Sequence, residues 1–112
     1  MATVYVRQFD LKNSLSDSEV AAFWKFAMEE FLPAIRKASG VRAARVYSGA
    51  GALRAGLRAV IELDNAGVYE NLLHEPGFHA MIGRFYGAID MRTSTQMFAR
   101  EITPELIRAI GS

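Results

Sequence analysis

A chain of 112 residues gives room for one domain over 1–112, and 51% apolar against 22% charged residues marks a globular sequence and not a disordered one. With 13 basic and 12 acidic residues the net charge is +1, and no long basic run exists to form a nucleic-acid stripe. There is no cysteine, which excludes disulfides, thiolate chemistry and Cys-based zinc sites.

From the N-terminus, Thr3 to Phe9 alternates, with Val4 and Val6 on one side and Tyr5, Arg7 and Phe9 on the other. That is a strand signature. Asn13 and Ser14 break it. Ser16 is placed as a helix N-cap, Glu19 three residues later completes a capping box, and Leu15 and Val20 sit where a hydrophobic staple closes. Val20, Phe23, Trp24, Ala27, Phe31, Ile35 and Ala38 then recur at helical spacing. Pro33 should bend this helix or end its first segment near Leu32, and Gly40 should stop it.

Val41 to Tyr47 and Leu57 to Leu63 read as the second and third strands, joined by the flexible glycine-rich connection SGAGALRAG. Its G-x-G leads into a strand and lacks the partners of a phosphate cradle. Asp64 or Asn65 caps a second helix carrying Val68, Tyr69, Leu72 and Leu73. Pro76-Gly77 interrupts it before a piece with Phe78, Met81, Ile82, Phe85 and Tyr86. Ile89 to Ala99 is the last strand, and Thr103-Pro104-Glu105 starts a short helical tail with Leu106, Ile107 and Ile110.

This β-α-β-β-α-β order predicts an α+β, ferredoxin-like fold: four antiparallel strands with two helices on one face. Val4, Val6, Leu57, Ala59, Ile61, Met91 and Met97 are expected on the helix-covered face. Tyr5, Arg7, Phe9, Arg58, Val60, Glu62, Asp90, Arg92, Gln96 and Phe98 are expected on the open one. Arginine and aromatics with few lysines suit an interface, so Arg7, Arg58 and Arg92 are its candidate residues, and a domain this small gains stability from a second subunit. An ordinary wet face is the alternative.

The blocks VYVRQF, FW and FLP, SGVRAARVYSG, LRAVIELD and LLHEPGF, in this order over nearly the whole chain, resemble the dimeric α+β barrel superfamily. Its groups include antibiotic-biosynthesis-monooxygenase-like, EthD-like, NIPSNAP-like and heme-degrading proteins. The resemblance implies a homodimer of packed sheets with a small pocket between sheet and helices in each subunit. For function it implies a small cofactor-independent oxygenase acting on a planar aromatic substrate, or a non-enzymatic homodimeric module that binds a ligand or serves assembly.

His74 and His79, the only histidines, flank the Pro-Gly break. They either cap helix ends and solvate the bend, or face a pocket as acid/base groups or heme ligands. Heme-degrading members of the superfamily place a histidine in this region, paired with an Asn on the first strand and a Trp near the second helix. Here the first strand offers Gln8, and the sole Trp, Trp24, belongs to the first helix. No cofactor is expected, with heme the minor option. Trp24, Tyr69, Phe78, Phe85 and Tyr86 are candidates to line a pocket for a small aromatic ligand, or simply a core. The sequence MATVYVRQFDLKN does not read as a signal peptide, and no apolar run approaches a membrane span. A cytoplasmic protein that binds neither membrane nor nucleic acid is the expectation. The third strand, LRAVIEL, lacks the aromatics of an RNA-recognition sheet.

Overall fold

The computed structural model describes residues 3–111; the outermost residues of the expected 1–112 domain lie outside them. The alternation at the start becomes strand β1 (Thr3–Leu11), two residues longer than the pattern suggested. Helix α1 (Asp17–Phe26) begins as expected: the Ser16 hydroxyl accepts from the Glu19 N–H, and the Glu19 carboxylate accepts from the Ser16 N–H. Ala27–Phe31 then forms a π-helical turn, in which Leu32 N–H bonds to Ala27 O, and helix α2 (Leu32–Lys37) continues from it. Pro33 is the cause. It lacks an N–H and its ring would press on the preceding turn of a uniform α-helix, so the wide turn forms immediately before it.

Strands β2 (Val41–Ser48) and β3 (Leu57–Leu63), helices α3 (Ala66–Leu73) and α4 (Pro76–Ala88), strand β4 (Ile89–Arg100) and helix α5 (Pro104–Gly111) follow. The break between α3 and α4 falls at His74 and Glu75, immediately before the Pro-Gly pair expected to interrupt the helix, and Pro76 opens α4. The four strands form one antiparallel sheet in the order β2-β3-β1-β4. With its helices this is the α+β, ferredoxin-like βαββαβ arrangement. No helix of the described residues is long and apolar enough to cross a membrane.

The phase of β1 is the reverse of the sequence expectation. Tyr5, Arg7 and Phe9 pair with Ile61, Ala59 and Leu57, and directly opposed residues share a face. Tyr5, Arg7, Phe9 and Leu11 are all buried under the helices with Leu57, Ile61 and Leu63. Val4, Val6 and Gln8 oppose Glu62, Val60 and Arg58 and therefore stand on the open face. In β4, Phe98 and Gln96 oppose Tyr5 and Arg7 on the helix side, whereas Met97 opposes Val6 on the open side. Between Gln8 and Asp10 the β1–β4 register slips, which lets Ile89 turn inward opposite Leu11. Arg92 sits in that irregular stretch with its guanidinium on the Asp90 carboxylate at 3.0 Å. Of the three arginines expected on the open face, Arg58 is there, Arg7 is in the interior, and Arg92 lies outside the paired ladder.

The β2–β3 connection is pinned down and not a loose linker. Arg54 donates to Leu15 O at 2.8 Å and to Asp17 Oδ1 at 2.6 Å, while its own carbonyl accepts from Leu11 N–H at 2.7 Å. Gly56 N–H donates to Asp10 Oδ1 at 2.8 Å.

Gly40, between α2 and β2, has φ +87°, and a Cβ there would lie 2.5 Å from Val68 Cγ2 of α3. Adding left-handed strain to overpacking, Gly40→Ala should cost about 2–4 kcal/mol in urea unfolding at an unchanged m value. A loss under about 1 kcal/mol would show that Val68 gives way.

Candidate functional site

Because β1 is central and its odd residues face the helices, Tyr5, Arg7 and Phe9 form the floor of a cavity between sheet and helices. Helix α1 contributes Phe23 and Trp24, the π turn Phe31, α3 Tyr69, and α4 Phe78, Phe85 and Tyr86. All five rings predicted as ligand-facing, Trp24, Tyr69, Phe78, Phe85 and Tyr86, line this cavity. The rings hold one another. Tyr5 stacks on Tyr69 with centroids 4.3 Å apart, Phe31 on Phe78 at 5.3 Å, and Phe9 meets Phe85 edge-on at 5.0 Å. The Trp24 indole N–H donates to Leu53 O of the β2–β3 connection at 2.9 Å, so the pinned loop fixes the ring's tilt.

The cavity measures about 70 Å³. An engineered core cavity that takes up benzene holds about 150 Å³, so an aromatic guest requires the lining to open. Tyr86, 37% exposed, is the lining ring nearest to solvent and the one whose movement would widen the space.

The polar groups in the lining are few. The Tyr69 hydroxyl donates to Tyr5 Oη at 3.1 Å, and Tyr5 donates to Gln96 Oε1 at 2.7 Å. Burial, reinforced by the bond from Tyr69, pushes the Tyr5 phenol far above its ordinary pKa. Tyr5 therefore remains a neutral hydroxyl at physiological pH and cannot serve as a base. Arg7 donates through Nε to Ser94 Oγ at 3.0 Å and through Nη1 to Tyr86 Oη at 3.0 Å. Its guanidinium also lies over the Tyr86 and Phe85 rings, 5.0 and 5.7 Å from their centroids. Burial opposes its charge, but the Tyr86 bond and the neighbouring tyrosine oxygens outweigh that effect and raise its pKa further. Arg7 is a permanent cation in an apolar chamber.

Neither histidine lines the cavity. His74 is the exposed C-cap of α3, its N–H bonded to Glu70 O and Asn71 O, and the exposed His79 ring contacts Leu73 O. Both serve the bend between α3 and α4, the capping alternative of the sequence reading, and the catalytic placement of His74 and His79 in a pocket is not what the structure has. Neither is positioned to ligate an iron in this chamber, and its volume does not fit a heme. Among the described residues no group of three or more His, Asp or Glu could hold a metal ion.

No protein-family profile and no curated protein matches the chain. Solved structures do. A variant of SnoaB, a cofactor-independent oxygenase from Streptomyces nogalater, aligns at 13% identity over 92% of this chain and 97% of its own, with a TM-score of 0.71. A dimeric protein of unknown function and ferredoxin-like fold from Bacteroides fragilis aligns at 16% identity over 89% and 96%, with a TM-score of 0.66. An EthD-family protein from Bacillus halodurans aligns at 17% identity over 91% and 100%, with a TM-score of 0.61. The likeness at these identities is one of fold: the chain has the ferredoxin-like α+β architecture of these structures.

Proposed function

We propose that the chain is a small cofactor-independent oxygenase that takes a planar aromatic substrate into the ring-lined cavity. The observation that supports this reading most is the lining itself: stacked and edge-on rings from β1, α1, the π turn, α3 and α4 converge on one space and expose little polarity to it. Such a surface holds a flat apolar body by area and ring geometry. An electron-rich phenol can supply the electrons itself. One oxygen atom of O₂ enters the ring as a carbonyl, the other leaves as water, and the substrate loses two hydrogens. SnoaB, of the same fold, is described as a cofactor-independent oxygenase.

A second reading, a homodimeric binding module without catalysis, is supported by the absence of His, Asp and Glu from the cavity lining among the described residues. Trp24, the sole tryptophan, separates the two readings as a built-in reporter. Addition of 1-naphthol should change its fluorescence saturably, and under the oxygenase reading an oxygen electrode should record one O₂ consumed per 1,4-naphthoquinone formed. Saturable binding with no oxygen uptake leaves the binding module; no fluorescence change rejects both.

We also infer that the working unit is a homodimer joined through the open sheet face. With β1 in its observed phase that face carries Val4, Val6, Val60 and Met97 beside Gln8, Arg45, Arg58 and Glu62, a mixed apolar and charged surface. Ile107 and Ile110 of α5 are likewise exposed apolar residues that a second subunit would cover. Val60→Glu, at the middle of that face, should shift the mass in light scattering from twice the monomer to the monomer at micromolar concentration. A wild-type chain that is already monomeric there rejects the dimer.

A further inference from the structure

The most unusual group in the interior is Arg7. It is 8% exposed, and none of the ion pairs among the described residues includes it. The carboxylates of Asp64, Asp17, Glu30, Asp90 and Glu105 go to Arg42, Arg54, Arg84, Arg92 and Arg108, all at the surface. The one buried arginine has only neutral partners, Ser94 Oγ and Tyr86 Oη, and two ring faces. A guanidinium has five N–H donors in a fixed fork. Nε and one hydrogen of Nη1 are engaged, and Arg7 is among the residues that line the cavity. Tyr86 accepts from Arg7, which leaves its own hydroxyl hydrogen to donate.

A largely buried guanidinium held only by neutral groups still lacks the counter-charge that interior cations normally pair with, so an anion is the partner its surroundings leave open. No side chain of the described lining supplies one. We propose that the ligand does: the cavity binds a planar aromatic that carries one oxyanion, a phenolate or an aromatic carboxylate, with Arg7 and the Tyr86 hydroxyl as donors to that oxygen and the rings around the hydrocarbon. This inference rests on the aromatic-pocket reading but not on catalysis.

The test uses three ligands of near-equal shape and the full-length protein, read by Trp24 fluorescence and calorimetry. At pH 7.5, 1-naphthoate should bind at least about tenfold more tightly than neutral 1-naphthamide, the worth of one charge-assisted hydrogen bond. Arg7→Met should bring the carboxylate down to the amide's affinity. If Arg7→Met does not fold, Arg7→Lys, which keeps the charge and loses the fork, should show a reduced naphthoate preference. For 1-naphthol, affinity rising as pH passes the phenol's own pKa identifies phenolate as a ligand form; a flat profile beside strong naphthoate binding leaves the carboxylate. Equal affinity for naphthoate and naphthamide overturns the anion inference and leaves the aromatic pocket standing. Binding of none of the three overturns the pocket reading, and this inference with it.

Discussion

A strand offers its side chains only two directions, and β1 lies between β3 and β4 with helices above one of its faces. Whichever set points to the helices becomes interior, and the other set becomes the open face. Tyr5, Arg7, Phe9 and Leu11 point inward. From that choice follow the floor of the cavity, the need to solvate a guanidinium with Ser94, Tyr86 and two rings, and the apolar character of Val4 and Val6 on the opposite side. The helices answer this floor. Tyr69 of α3 stacks on Tyr5 and Phe85 of α4 meets Phe9, and Phe23 and Tyr86 pack against Phe85 in turn.

The elements themselves were legible because their signals are local. The Ser16–Glu19 box, the Pro-Gly break and the alternation of Leu57 to Leu63 all depend on neighbours within a few residues. Helical faces were legible for the same reason, and this is why the ring lining could be named from sequence. The phase of β1 was not. Both of its faces hold apolar residues, hydrophobicity favours placing Val4 and Val6 inside and Arg7 outside, and the deciding partners lie far along the chain on β3, as with Tyr5 and Ile61 or Phe9 and Leu57. One signal pointed the other way: continued to Leu11, the strand reads Phe9 and Leu11 against Gln8 and Asp10. The slip in β4 had no such signal, since alternation runs without interruption across the residues where pairing shifts.

The histidines show how a rare residue type attracts a functional reading that its surroundings do not support. At a helix C-terminus followed by Pro-Gly, unpaired carbonyls are the local demand, and a ring nitrogen can meet it. Arg7 shows the converse. In sequence it is one of ten arginines in an alternating stretch, and nothing within that stretch marks it as buried. Only the packing of α4 over the sheet does so.

The π turn at Ala27–Phe31 gives the first helical arm two rotational settings: Val20 and Phe23 before it pack in the core with Phe9, Leu11 and Phe85, and Leu32 and Ile35 after it pack in the core with Tyr5, Val68 and Leu72. Each residue of an α-helix advances by about 100°. Losing one residue here would restore a uniform helix yet swing everything beyond it by that angle, taking Phe31 from its stack on Phe78 and Ile35 from its place in the core. Met28, Glu29 and Glu30 within the turn face solvent. The segment is therefore permissive in composition and strict in length, so drift among descendants of this chain should appear there as substitutions and not as gaps.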